Sequence, residues 1–390
     1  MNRRERLMAT LQGKPVDRPA VSFYEIGGFN SDPNDSDEFN IYNSPTWRPL
    51  LQLAEEKTDI IRMKSAVRLH SHEAWDISGK KSSLNIRDEF FKIEQYVKDG
   101  SKFTKTTVNV AGRTLTSLTR RDPHLDTIWT LEHLLKSTDD IKAYLQLPDE
   151  VFQENIDTTH LIEEDQALGD KGIIMVDTED PICAVASLFS MEDFTIFAFT
   201  ESSLYHQLLE KVSRYIHKRT EKVAKEFPGH LWRIYGPEYV TEPYLPPQLF
   251  DEYVVRYTGP MVKMIEKNKG FARIHSHGKI KNILDYIVQM GASAIDPVEP
   301  PPQGNVELSY VREKYGKYLV LFGNIEIVDV ENTPNNDFKK IVSQALIDGT
   351  KGQGKGFVLM PSASPYGRNI SKTTMKNYET MVELAENFRG

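Results

Sequence analysis

"GFARIHSHGKIKNILDYIVQMGASAIDPVEP", residues 270–300, carries the pattern that decides the fold. It opens on an apolar run of β type that ends in polar side chains. Ile280, Ile283, Leu284 and Ile287 then share one stripe at helical spacing, and Gly291 stops the helix. A second short apolar run, "ASAIDPVEP", follows at once. Strand, helix and strand in succession make neighbouring strands parallel, because the helix returns the chain to the end of the sheet where it began.

Working outward, the same unit recurs from about residue 170. "GIIMVDTED" (172–180) leads, after a linking helix, to an amphipathic segment from Tyr205 to Phe227, where Leu208, Leu209, Val212, Tyr215, Ile216 and Val223 keep helical spacing. "HLWRIYGPE" (230–238) leads to a helix whose first turn suits Pro247. "YLVLFGNIE" (318–326) and, after a helix around 337–349, "GFVLMPSASP" (356–365) complete the series. "RPAVSFYE" (18–25) and "DIIRMK" (59–64) are the early strands. No GxGxxG follows any strand, so these units predict a closed (β/α)8 barrel of the TIM type rather than an open doubly wound sheet. The expected organisation is a single barrel domain over 1–390. Its rhythm breaks at "TKTTVNVAGRTLTSLTRR" (104–121), which alternates at period two around Ala111-Gly112. That is a hairpin signal, and it predicts a β-rich antiparallel insertion over 66–130 at one barrel mouth.

Composition narrows the partners. With 39% hydrophobic and 27% charged residues the chain is ordinary globular protein, and its formal charge of -8 is spread along the sequence. Nothing there attracts nucleic acid or an anionic membrane. The charged opening "MNRRERLMATLQGK" and the lack of an apolar stretch near the roughly 18 residues of a membrane span lead us to expect a cytoplasmic protein. The single Cys183 excludes an intramolecular disulfide, a CxxC pair and any multi-thiolate zinc site, and in "DPICAVASLF" it reads as a buried core residue.

Barrel chemistry sits at the carboxyl ends of the strands, where the sequence places Glu25, Asp177, Glu179, Glu238, His275, His277, Asp296, Glu299, Asn324, Glu326 and Ser362 to Ser364. If the strand stays extended through residue 277, His275 and His277 share one face with Arg273 beneath them. Two neutral imidazoles so placed can share zinc with a carboxylate from a neighbouring strand, Glu238 being best placed and Glu242 the reserve. The alternative is a pair of strand-end histidines bonded to loop backbone. "RLHSHEAW" (68–75) repeats the spacing with His70 and His72, which read as surface or loop residues. In "IDPVEPPPQG" (295–304), Pro297 and Pro300 to Pro302 predict an extended, polyproline-like exit. It would hold Asp296 and Glu299 either as catalytic acids at the mouth or as exposed acids on a stiff turn. Tyr24 and Glu25 divide between substrate binding and polar rim. Asn324 offers a neutral donor and acceptor at the mouth, and Glu326 reads as a salt-bridge residue. Asp177 and Glu179 suit a solvated or salt-bridged loop, and "KGQGKGF" (351–357) a flexible turn.

The opening "RRERLMATLQGKPVDRPAV", the "HSHG" strand end, "DPVEPPPQGNVELSYVREKYGKYLVLFGNIE" and "KGFVLMPSASP" together resemble the uroporphyrinogen decarboxylase superfamily, especially its corrinoid-methyltransferase-like branch. The resemblance spans nearly the whole chain and again implies a (β/α)8 barrel with its site at the carboxyl ends. True decarboxylases of the family bind a poly-acidic tetrapyrrole through an arginine-rich segment after the first strand and carry a histidine after the last. Here no Arg or Lys lies between Arg18 and Arg48, and no histidine follows His277. The thiol-methylating members bind zinc through a His-x-Cys pair and a later cysteine. This chain matches the histidine at His275, has His277 in place of the first cysteine, and has "PSAS" (361–364) in place of the second.

What the resemblance then implies is methyl transfer from a small methoxy-type substrate to a corrinoid carried by a partner protein. Zinc at His275, His277 and Glu238 would polarise an oxygen. Glu238, Asp296 and Glu299 are the expected acid–base residues, and Tyr24, Glu25 and Asn324 the expected substrate contacts. A uroporphyrinogen decarboxylase or related metal-independent decarboxylase is the alternative enzyme, and a non-catalytic tetrapyrrole- or corrinoid-binding barrel the alternative outside enzymes. A homodimer is compatible with either.

Overall fold

The computed structural model describes residues 1–24, 26, 35–66, 85–352, 354 and 356–389. Its main sheet has eight parallel strands: β1 (Ala20–Val21), β2 (Ile60–Lys64), β7 (Gly172–Glu179), β8 (Leu231–Tyr235), β9 (Phe271–His275), β10 (Ala294–Asp296), β11 (Val320–Ile325) and β12 (Phe357–Pro361). They lie in the order β1-β12-β11-β10-β9-β8-β7-β2. The two ends of that series meet where the Asp59 N–H donates to Val21 O at 2.7 Å. Asp59 accepts from Val21 N in return, at 2.9 Å, so the sheet curls into the predicted barrel.

Alternation sorts the strand side chains into an outer and an inner set. Outward residues such as Ile174, Val176, Trp232, Ile234, Ala272, Ile274, Ile295, Leu321 and Leu359 pack under the surrounding helices. Inward residues form a smaller cluster: Ala20, Ile61, Ile173, Met175, Leu231, Ala294, Val320, Phe322, Val358 and Met360. Leu7 and Leu11, from the helix Arg3–Leu11, close the amino-terminal end of this cluster. Followed along each strand, the inward positions turn from apolar to polar: Leu231 gives way to Arg233, Phe271 to Arg273 and His275, Met175 to Asp177, Ala294 to Asp296, and Phe322 to Asn324. The barrel is thus a packed apolar plug below and a polar well at the carboxyl mouth.

The helices fall close to where the periodicity places them, except that the one after β9 begins only at Leu284, so Ile280 and Ile283 of the expected stripe precede it. The helix Ser202–Glu226 buries Leu208, Leu209, Val212, Ile216 and Val223. Ile280, Ile283, Leu284 and Ile287 have no solvent exposure, and Gly291, at φ 87°, ends the helix Leu284–Met290 in the left-handed conformation. One helix spans Asn335–Thr350. Cys183 differs from expectation: it is half-buried, because it lies in the first turns of the short helix Pro181–Ala186 at the barrel mouth rather than in the core.

The insertion is a separate antiparallel sheet in the order β3-β4-β5-β6, formed by β3 (Phe91–Lys98), β4 (Ser101–Val110), β5 (Arg113–Arg121) and β6 (Ile128–Glu132). Its central hairpin turns at Ala111 and Gly112, at φ 51° and 73°, as the alternation predicts. Leu125 bridges Gly367, and Asp126 N bonds Tyr366 O at 3.2 Å, which ties the sheet to the loop that leaves the carboxyl end of β12. His70 and His72 lie outside the described residues. No described helix is long and apolar enough to cross a membrane.

Truncating the plug tests this account of the barrel. Leu7 is 1% exposed, so Leu7→Ala is expected to cost roughly 2–5 kcal/mol in urea unfolding. A change below about 0.5 kcal/mol, the scale of a surface substitution, would rule out the plug.

Candidate active site

The deepest polar group of the well is Arg273, 1% exposed, stacked 4.8 Å over the Phe322 ring. Its Nε lies 2.9 Å from Asp296 Oδ1, an ion pair by distance that lacks the alignment of a hydrogen bond. The other oxygen of Asp296 is 3.0 Å from His275 Nδ1. Asp296 has no solvent exposure. Burial works against its charge, yet Arg273 and His275 hold its pKa down at about 2. An ionised Asp296 can only accept, so His275 carries its hydrogen on Nδ1 and presents the Nε2 lone pair to the mouth. Burial, with Arg233 nearby, keeps the pKa of His275 well below the ordinary imidazole value. It is neutral at physiological pH.

Tyr24 reaches the same nitrogen from just beyond β1: its Oη is 3.4 Å from His275 Nε2, and the two rings stack with centroids 5.8 Å apart. Arg233 Nη2 donates to Tyr24 Oη at 2.6 Å, while its Nη1 donates to Asp177 at 2.9 Å. Glu179, next along β7, pairs with Arg219 at 2.8 Å, and Arg219 also holds Glu154 at 2.6 Å. Asp177 and Glu179 are thus salt-bridged, one of the readings their sequence context allows.

β9 ends at His275, not at His277. The expected extension fails because the chain turns at Gly278, at φ 79°, immediately beyond. Even so the two imidazoles are neighbours, with centroids 4.7 Å apart and planes at 89°. His277 Nδ1 is 2.8 Å from Glu299 Oε1, and the Gly278 N–H donates to the other Glu299 oxygen at 2.6 Å. The His277 side chain is 39% exposed, in contrast to His275 at 3%. Burial opposes its protonation, but the hydrogen bond and charge of Glu299, with Glu238 behind it, raise its pKa above the ordinary value.

Asp296 and Glu299, at 0% and 6% exposure, belong to the buried mouth and not to an exposed turn. The segment that holds them is not a continuous polyproline run, since the chain turns over 301–303. Glu326, 6% exposed, forms no salt bridge among the described residues. Ser362 Oγ donates to its Oε2 at 3.2 Å, while Oε1 is buried without a partner. Burial and the neighbouring Glu299 charge push its pKa up to about 7. Asn324 Oδ1 is a second buried acceptor without a partner. Glu25 lies outside the described residues. Arg233 is the site residue that the sequence reading misses, although its inward register, two residues before Tyr235, was legible.

Glu238 occupies the single turn Pro237–Val240 after β8. Its Oε2 accepts from Gly236 N at 3.1 Å, and burial raises its pKa. Glu242 faces Lys279 at 3.9 Å. Both histidines have Nδ1 against a carboxylate, the orientation that frees Nε2 for a metal. A third ligand is not drawn in with them: no three His, Cys, Asp or Glu side chains among the described residues are grouped to hold a metal ion.

The comparisons with known proteins agree with this architecture. The sequence model of the family described as "Uroporphyrinogen decarboxylase (URO-D)" matches residues 124–388. A solved methyltransferase from Methanosarcina mazei is similar in structure over 100% of this chain and 99% of its own, with a TM-score of 0.58 and 14% identity, which speaks to the fold. A D-psicose 3-epimerase from Clostridium cellulolyticum H10, solved with D-tagatose, covers 59% of this chain and 92% of its own at 11% identity and a TM-score of 0.31, too distant to inform the site. No curated protein matches the sequence.

The opposite shifts of the two imidazoles make opposite contributions to the acid stability. Because His275 resists protonation when folded, the unfolded chain binds the extra proton below its ordinary pKa of 6.5, and stability falls as pH drops through that value. The slope approaches about 1.4 kcal/mol per pH unit for one proton. His277, raised when folded, opposes it. Denaturant titrations at pH 7.5 and 5.5 should therefore show His275→Gln losing less stability on acidification than wild type, and His277→Gln losing more. Equal slopes for all three proteins would refute the assignment.

Proposed function

We propose, for a chain that belongs to the uroporphyrinogen decarboxylase family, transfer of a methyl group from a small methoxy-type substrate to a corrinoid protein, rather than decarboxylation of a porphyrinogen. The observation that carries this reading is the state of the cations. Arg233 is neutralised by Asp177, Arg273 by Asp296, and Arg219 by Glu154 and Glu179. A substrate with several carboxylates would meet no uncommitted arginine among these, and would face Glu238, Glu299 and Glu326 as well. A neutral methyl ether meets no such penalty.

Breaking a methyl–oxygen bond leaves negative charge on the departing oxygen, and His277 is built to neutralise it. Its Nδ1 is anchored on Glu299, and its side chain is 39% exposed. The Nε2 proton of the imidazolium passes to the departing oxygen as the bond breaks, which releases an alcohol or phenol. Glu299, held by the Gly278 N–H, supports the cation before transfer and fixes the ring. Tyr24, clamped by Arg233, and Asn324 with its open acceptor orient the substrate's polar end. A reduced corrinoid on the partner protein would supply the nucleophile that accepts the methyl group.

A second reading is favoured by the carboxylate-backed Nδ1 atoms. Zinc bound through Nε2 of His275 and His277, with Glu238 moved toward them, would withdraw charge from the same oxygen.

The test is a screen of methoxybenzenes and methylamines with reduced cobalamin as acceptor, followed by absorbance. Turnover in wild type should fall about 10²- to 10⁴-fold in His277→Ala, with a smaller loss in Glu299→Gln. Elemental mass spectrometry separates the two readings: zinc near one per chain, lost in His275→Ala and His277→Ala, selects the metal, and metal-free turnover selects the proton. Turnover of uroporphyrinogen without any methyl transfer would overturn both.

A further inference from the structure

The insertion ends on an open edge. β3 pairs with β4 on one side and with no other strand among the described residues. After Phe91, every residue of β3 is exposed, with Ile93 at 46%, Tyr96 at 43% and Val97 at 60%. Asp99 and Gly100, at φ 52° and 78°, make a two-residue turn that sets Lys98 against Ser101 as a hydrogen-bonded pair. Counting back, the even residues bond β4, and Ile93, Gln95 and Val97 direct their N–H and C=O groups outward. An exposed, unpaired strand of this kind is a template for another strand. β3 to β5 lie outside residues 124–388, the span that matches the family.

One face of the sheet also carries a ladder of flat side chains. Tyr96 stacks on Phe103 with centroids 5.3 Å apart and planes at 9°. Phe103 stands opposite Arg120, and Arg120 opposite Trp129, itself 46% exposed.

We infer that this edge is a dimer interface, on which a second copy of the chain adds its own β3 antiparallel across a two-fold axis. The sequence "FKIEQYVK" is self-complementary in two registers, one with Ile93 on the axis and Lys92 opposite the partner's Glu94, the other with Tyr96 on the axis, which the aromatic ladder favours. With Tyr96 on the axis, Glu94 stands opposite the partner's Lys98 twice over, and Gln95 opposite the partner's Val97. Slid by two residues, the strands would set Lys92 against the partner's Lys98, and by four, Glu94 against the partner's Glu94; like charges directly opposite disfavour both. The favoured register joins two four-stranded sheets into one of eight. It also brings Tyr96 against the partner's Tyr96, so that the ladder runs unbroken from Trp129 to the partner's Trp129.

Light scattering on a size-exclusion column, with loading concentration varied, reads the assembly. Wild type should run as a dimer. Glu94→Lys and Lys98→Glu should each weaken it, raising the dissociation constant about tenfold or more by turning both ion pairs into repulsions. The double variant, with the charges exchanged, should restore it. Gln95→Pro removes an outward N–H without touching the β4 ladder and should give a monomer whose circular dichroism matches wild type. A wild type that stays monomeric at every concentration would overturn the inference, as would a dimer that Glu94→Lys and Gln95→Pro both leave intact.

Discussion

A guanidinium enclosed by apolar side chains must be neutralised, and at Arg273 that need organises everything above it. The ionised form of Asp296 is the only state that answers the charge, and it leaves Asp296 unable to donate. His275 is therefore held with its hydrogen toward Asp296, in one tautomer, its free nitrogen facing Tyr24. Tyr24 in turn is fixed by Arg233, whose second nitrogen is committed to Asp177. Six inward residues, five on β7 to β10 and Tyr24 just beyond β1, are linked by one requirement, that no charge in the well stand alone. The same requirement bears on the chemistry, because Arg219, Arg233 and Arg273 are each spent on a neighbouring carboxylate.

The barrel was legible because its signals are local. Apolar runs, helical stripes and stops such as Gly291 lie within single segments, and their repetition is enough to imply parallel strands. The candidate site was legible at the level of which residues stand at strand ends. What each does there was less so. Pairing between Arg233 and Tyr24, or between His277 and Glu299, depends on register between strands that are distant in sequence. Glu326 looked like a salt-bridge residue from its charge alone, whereas its neighbour is a serine and its environment favours the neutral acid. The turn at Gly278 shows the limit of period-two reasoning: β9 ends two residues sooner than alternation assumes, and the histidines meet edge to face instead of side by side.

The insertion shows both sides of this. The Ala111-Gly112 hairpin follows from alternation, whereas the Asp99-Gly100 turn was not read from the sequence. Its docking on the loop after β12 was not legible. A bridge from Leu125 to Gly367 and a hydrogen bond from Asp126 join segments some 240 residues apart in the numbering, and no local pattern encodes it.

Two histidines two residues apart thus come to differ in kind. His275 is enclosed, kept neutral by burial and by the positive charge of Arg233, and committed by Asp296 to a single tautomer. His277 is half open to solvent and stands between Glu299 and Glu238, which favour its cation. A change in carboxylate geometry would not create this division, since each ring already has one carboxylate at about the same distance. The difference comes from what else is near: an arginine and an apolar wall for one, a second acid and water for the other. Environment, rather than the HSH motif, separates an imidazole held neutral in one tautomer from one whose protonation is favoured, at the mouth of a well whose floor must stay neutral.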